Sequence, residues 1–285
     1  MNRPLAYADE HPNMRYYQAR DGWQFVDLAE LWRFRELVWI LGMRDLQVRY
    51  RQTIVGIAWS VLQPVTTLII FATMFRLMGQ KPVADDHPYL VSLFCALLPW
   101  QMFATTVSQC SGSLVENQNL VTKVYIPRIT LPLSKLLVGL VDFGIAFGLL
   151  LILAVASGVR PTWSLAMLPL FTLLACLAAL AVGIWLAALN AIYRDIGFIV
   201  PFLLQTGFFL SPVIYETSKL IPESWRPLYS INPMVGVIEG FRWSVLGSAA
   251  PSWALFVPSF AALSLVLISG LFYFRRMERF FSDRI

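Results

Sequence analysis

Six stretches of this chain carry almost no charge, and their lengths decide what it can fold into. From Ile54 to Phe75 run 22 residues without an Asp, Glu, Lys or Arg, and from Tyr89 to Val115 run 27. Leu136 to Val159 is interrupted only by Asp142, while Pro161–Tyr193, Ile196–Tyr215 and Trp253–Phe274 are uninterrupted. About 20 helical residues cross the ~30 Å hydrocarbon layer of a bilayer. There, a helix satisfies every backbone N–H and C=O without water. The expected fold is an all-α membrane protein with six transmembrane helices, at about 54–75, 90–115, 136–159, 164–193, 196–215 and 253–274.

Composition closes off the alternatives. Hydrophobic residues make up 58% of the chain and charged residues 14%, against ~25% charged in an average soluble protein. The net charge of +5 is spread between the apolar runs, which disfavours a nucleic-acid module. Cys95, Cys110 and Cys176 all lie inside apolar runs and form no CxxC, so neither a zinc site nor a disulfide framework is expected. The first 27 residues are polar and contain Pro4, Pro12 and Gly22, unlike a cleavable signal.

Orientation follows from the Lys/Arg bias. With both termini in the cytoplasm, the inner segments hold Arg3, Arg15, Arg20, Arg33, Arg35, Arg44, Arg49 and Arg51, then Lys123, Arg128 and Lys135, then Arg194, then Arg275, Arg276, Arg279 and Arg284. The outer segments hold only Arg76, Lys81, Arg160, Lys219, Arg226 and Arg242. Cytoplasmic N and C termini are favoured, with insertion directly into the plasma membrane.

The spans lack the marks of an enzyme or an ion-coupled carrier. His11 and His87 are the only histidines, both outside the spans, and Asp142 is the lone charged residue within them. Coupled carriers embed several carboxylates or broken helices in related halves. An unpaired charge at mid-membrane costs roughly 2.5–3.5 kcal/mol, so Asp142 should have a partner or water, for a structural bond or for transport. Arg44-Asp45-Leu46 and Arg194-Asp195-Ile196 echo each other; each Asp would cap a helix and each Arg face lipid phosphates. No GxxxxGK[ST] is present. Without that phosphate cradle, any uphill work must draw its energy from a partner.

Three non-spanning pieces stand out. In residues 28–51, Leu28, Leu31, Trp32, Arg35, Trp39 and Gly42 follow a helical stripe, the pattern of a helix lying in the membrane interface. In the link Glu116 to Lys135, Leu120, Val121, Val124 and Ile126 make a short amphipathic segment ended by Pro127. It suits docking into a groove on another protein, or is a plain loop. Outside, Pro233 to Leu246 shows an apolar face but is too short to span. It reads as a re-entrant lid or a surface cap. Within the spans, Gly56, Ser60, Gln63 and Thr67 recur on span one, and Phe198, Phe202, Gln205 and Phe209 on span five. Such stripes line a pathway, where aromatic faces stack on sugars, or pack helices.

The run Arg44 to Pro64, RDLQVRYRQTIVGIAWSVLQP, resembles the lead-in to the first span of ATP-binding-cassette permeases that export polysaccharides. These are the O-antigen type and its teichoic-acid relatives. Further matching pieces follow in order: LLPWQMF at 97–103, NQNLVTKVYIPRITLPLS in the link, YRDIGFIVPFLLQTGFFLSPVIY at 193–215, and NPMVGVIEGFR at 232–242. The similarity runs from about Leu28 to the C-terminus.

The resemblance implies a cytoplasmic segment at 1–27, an amphipathic interface (gate) helix at 28–51, and a six-helix exporter domain at 52–285. It implies a homodimer with two copies of a separate nucleotide-binding ATPase, which would hold ATP and Mg; this chain itself would carry no cofactor and catalyse nothing. Asn117 to Tyr125, with Leu120, Val121 and Val124, would form the ATPase-coupling helix. Pro222 to Leu246 would form short re-entrant outer gate helices, with Pro222, Trp225, Pro233, Ile238, Phe241 and Arg242 among their residues. Spans one and five would line the channel through Ser60, Gln63, Thr67, Phe198, Phe202, Gln205 and Phe209. Arg44, Asp45, Arg49 and Tyr50 would shape a cytoplasmic entrance, whose cations suit a diphosphate-linked lipid carrier or simply anchor to lipid headgroups. The expected function is export of a lipid-linked polysaccharide across a bacterial inner membrane, most simply an O-antigen. Teichoic-acid, capsule or small-molecule export remain alternatives, as does a membrane-embedded glycosyl- or acyltransferase.

Overall fold

A computed structural model of the chain describes residues 28–51, 58–77, 89–124, 126–247 and 250–284. The expected segment 1–27, the start of span one with Gly56, the loop with Lys81 and His87, and Tyr125 lie outside the described residues. Among the described residues every regular element is a helix. In chain order these are α1 (Leu28–Arg33), α2 (Arg35–Arg51), α3 (Ala58–Leu77), α4 (Tyr89–Glu116), α5 (Gln118–Lys123) and α6 (Thr130–Ala156). There follow α7 (Leu168–Ile192), α8 (Ile196–Leu210), α9 (Thr217–Leu220), α10 (Arg226–Tyr229), α11 (Pro233–Leu246) and α12 (Trp253–Arg284).

Among the described residues four helices are long and apolar enough to cross a bilayer: Tyr89–Glu116, Thr130–Ala156, Trp163–Ile192 and Trp253–Phe281. Ala58–Met74 and Ile196–Leu210 are shorter apolar helices. These six coincide with the six uncharged runs, but their ends differ for local reasons. α8 stops at Leu210, not Tyr215, because Ser211 precedes Pro212 and is extended, with φ −104° and ψ 151°. α6 starts at Thr130, not Leu136; Pro132 falls in its first turn, where a missing N–H leaves no bond unmade. α12 continues to Arg284, ten residues beyond Phe274, carrying an Arg275–Glu278 pair one turn apart at 2.6 Å.

α4 is the axis of the bundle. Val91 to Trp100 are buried without exception, and α4 packs along α7, α6 and α11. A large apolar core gathers Phe94, Leu97, Phe143, Phe171, Ile238 and Phe241. A second core lies around α5 and the end of α12 and joins Leu41, Leu114, Val121, Ile184, Phe274 and Phe281.

Candidate functional site

The helix at 35–51 runs beside α6, and Gly42 sets how close they come. A Cβ there would sit 2.8 Å from Leu137 Cδ2 and 3.0 Å from the Ser134 carbonyl oxygen, so any other residue would force the helices apart. Along the seam, Lys135 Nζ lies 2.9 Å from Asp45 Oδ2, and Arg49 Nη2 lies 2.8 Å from Asp142 Oδ2. Asp45 is therefore mid-helix and paired, not a cap. Nor does Asp195, just before α8, make a side-chain cap bond.

Asp142 gathers three elements on one carboxylate. Besides Arg49 of α2, its Oδ1 accepts from the Tyr50 hydroxyl and, at 2.9 Å, from Ser60 Oγ of α3. Tyr50 and Ser60 are themselves 2.8 Å apart. Burial, then the bond to Asp142, push the Tyr50 phenol above its ordinary value, so it stays protonated and donates. The charge that seemed isolated in sequence is thus compensated within the chain, as an intramembrane carboxylate must be. Arg49, Ser60 and Gln63 border a small cleft of mixed lining here, with Gln101, Thr105 and Asp142 beside Leu98, Met102 and Phe143. Thr67 lies one turn above Gln63 and donates to its backbone oxygen at 2.9 Å.

The same seam reaches the link between α4 and α6. Arg44 binds Asp45 Oδ1 at 2.7 Å and Asn117 Oδ1 at 3.0 Å, and Asn117 Nδ2 donates to the Ser113 carbonyl at 2.9 Å. Lys135 also lies 3.1 Å from Glu116. Asn117 is the residue before α5. Within α5, Val121 is buried at 4% exposure and Leu120 packs partly against the same core. Val121 thus faces its own chain, and the outward face is Gln118, Asn119, Thr122 and Lys123, with Val124 just beyond, 50% exposed. From the other side the end of α12 braces this link. Arg128 N donates to Glu278 Oε1 at 3.2 Å, its guanidinium donates to the Glu278 carbonyl, and Phe281 is fully buried.

α8 is two-faced. Its inner side, with Leu203, Leu204 and Gly207, borders an apolar cavity of about 490 Å³ that Trp100, Tyr229 and Asn232 also line. Phe198, Phe202, Gln205 and Phe209 all face outward, Phe198 at 84% exposure. Among the described residues this stripe is left exposed.

In the segment from Glu216 to Leu246, α11 is buried and is no surface cap. Asn232 caps α11, its Oδ1 accepting from Met234 N at 3.0 Å and its Nδ2 donating to Ser211 Oγ at 2.9 Å. Pro233 occupies the first turn. Beyond it Met234 to Ile238, Phe241 and Arg242 are all buried. At Gly240 a Cβ would collide with the Phe171 ring. Arg242 pairs with Glu239 at 3.2 Å and donates to the Val213 carbonyl at 3.1 Å. Glu239 in turn accepts from Thr217 N and, at 2.7 Å, from Thr217 Oγ1. Pro222 and Trp225 remain exposed on the short pieces before it, where Tyr229 meets Tyr215 at 2.9 Å. Burial, then that bond, raise the Tyr229 phenol.

The structure thus joins Arg44, Asp45 and Asn117 in one cluster with Lys135, and Arg49, Tyr50 and Ser60 in a second around Asp142, along the same seam, and leaves the α8 stripe, Pro222, Trp225 and α11 apart from both. Sequence reasoning missed Lys135, Glu116 and Glu278. The first had a signal: Lys135 precedes Asp142 by two helical turns, while Asp45 precedes Arg49 by one, with the signs reversed.

Comparison with known proteins shows what the chain is similar to. The family described as ABC-2 type transporter matches residues 36–246. An O-antigen export system permease protein, RfbA of Myxococcus xanthus, is 33% identical over 259 residues, covering 88% of this chain and 96% of that one. A protein of the same name from Klebsiella pneumoniae is 24% identical, with 87% and 94% covered. The polysialic acid transport protein KpsM of Escherichia coli is 23% identical, with 72% and 80% covered.

Proposed function

The chain belongs to the ABC-2 type transporter family, and on that premise we propose that it is the permease subunit of an O-antigen exporter. The carrying observation is the similarity to a permease named for O-antigen export along nearly the whole of both chains. In this reading two copies form the membrane unit, and each seats one copy of a separate ATPase subunit that binds ATP and Mg. The cargo is a polysaccharide linked to a lipid, moved across the bacterial inner membrane.

Six helices cross the bilayer, with α3 and α8 as the first and fifth spans and both termini cytoplasmic. The Arg-rich end of α12 supports that sidedness. α5 and Val124 dock on the ATPase; α5's inner face is already used by its own chain, and its polar outer face is open. The uncovered Phe198–Phe202–Gln205–Phe209 stripe and the Ser60–Gln63–Thr67 face line the route, since rings stack on sugar faces and amides bond hydroxyls. Residues 222–246 close its outer end. At the inner entrance Arg44, more exposed than Arg49 at 45% against 30%, is the cation best placed for a lipid-linked diphosphate. A capsule polymer is the second reading, favoured by the likeness to a polysialic acid transporter.

Deleting the gene tests this. Surface polymer should vanish, and the lipid-linked glycan should accumulate on the cytoplasmic face until the chain and its ATPase are restored together. A chain that purifies without an ATPase and itself modifies a lipid would sink the reading.

A further inference from the structure

The seam between α2 and α6 has an alternating charge pattern. α2 presents an acid and then a base, Asp45 and Arg49; α6 presents a base and then an acid, Lys135 and Asp142. Sliding α2 by one turn, ~5.4 Å, toward Asp142 would set Asp45 against that like charge. The two pairs therefore admit one register, and the close approach at Gly42 removes the slack that would allow another. Lys135 is 8% exposed and Asp142 17%, so water screens neither well.

Both pairs also reach beyond the seam. At one end Lys135 contacts Glu116 and Arg44 binds Asn117, the two residues directly before α5. At the other, Asp142 accepts from Ser60 of α3. We propose that Lys135 and Asp142 are positioning residues that lock α2 to α6, so that a push on α5 reaches α3 through one rigid α2–α6 unit. This rests on the permease reading above and concerns how motion driven by the partner's ATP is transmitted. Neither residue needs to touch cargo. The interface helix is passive on its own; its register with α6 makes it a lever.

The test uses the full chain with its ATPase subunit, in cells lacking the native gene and in lipid nanodiscs. Asp142→Asn, alone and with Lys135→Gln, should keep ATP turnover while export per ATP falls about tenfold, within the range a single coupling carries. The swap Arg49→Asp with Asp142→Arg should recover most of that loss. A bystander pair would give no such rescue. Spin labels at Val48→Cys on α2 and Ile152→Cys on α6, both exposed, report register without any cargo; the native cysteines are buried. With labelled chain diluted into excess unlabelled chain, one narrow distance within the chain is expected in the unaltered chain and in the swap, and a broadened one in the neutralised variants. Wild-type export per ATP in the doubly neutralised chain would overturn the proposal. So would a swap that accumulates normally yet keeps the broadened distance. If the unaltered chain fails to deliver polymer, the permease reading fails instead, and the distances still decide the lock.

Discussion

α2 and α11 flank the bundle and carry similar sequence signatures, a short apolar stripe with a few charges, yet they are held in different ways. α11 is buried along its length, with Ile238 and Phe241 at 0% exposure, and its one ion pair lies inside. α2 buries only Leu41 and Gly42 and leaves Trp39, Ile40 and Val48 more than half exposed. Its grip comes from Asp45 and Arg49 on α6, with Tyr50 reaching Ser60 of α3 and Arg44 reaching Asn117. A helix held by packing resists displacement in every direction, because interiors are packed as densely as crystals. One held mainly by ion pairs, hydrogen bonds and a glycine contact is fixed in register but leaves much of its surface exposed. The first suits a wall and the second a part that moves with its neighbour.

The comparison breaks first at Phe241. This ring is buried edge-on against Phe143, with centroids 5.8 Å apart. Phe241→Ala should lower stability by about 3–5 kcal/mol, read as loss of the folded fraction during denaturation in detergent. A loss comparable to that of an exposed residue would mean that α11 is a surface cap after all. Gly42→Val comes next. The added methyls must displace Leu137 or the Ser134 carbonyl, and overpacking of this kind costs about 1–3 kcal/mol. A neutral result would show that α2 rides loosely on α6.

Much of this architecture was legible in the sequence, because a bilayer imposes length and an absence of charge on each span. The six uncharged runs correspond to six helices, and Pro233 opens α11, whereas the fifth run continues past Pro212 to Tyr215 and its helix ends at Leu210. What could not be read was which face of a short helix is already taken. Val121 and Val124 share the apolar signature of the link, but only the three-dimensional path of α12, ten residues longer than its uncharged run, brings Phe281 beneath Val121. Likewise Arg49 and Tyr50 look like open entrance groups until α6 places Asp142 among them. Pairings between residues 92 or 90 positions apart, as for Tyr50–Asp142 and Asp45–Lys135, leave no periodic trace. Only the reversed order of signs on the two helices hinted at them.

The finest distinction concerns two valines three residues apart. Val121 sits in the chain's own core and Val124 lies 50% exposed. Surface substitutions usually change stability by no more than about 0.5 kcal/mol, so Val124→Asp should leave the isolated chain folded as before. Val121→Asp buries an unpaired carboxylate among Leu41, Phe274 and Phe281, which is strongly destabilising. If α5 docks on the ATPase, Val124→Asp should nonetheless lower ATP hydrolysis by the assembled complex, since a new charge at a protein contact must be desolvated. Pull-down of the ATPase and its hydrolysis rate, each measured against the chain's own melting, separate the two effects. Unaltered assembly and hydrolysis in Val124→Asp would move the docking surface to Gln118, Asn119, Thr122 and Lys123 alone. The contrast between the valines then reduces to one helix showing its polar side to a partner and its apolar side to itself.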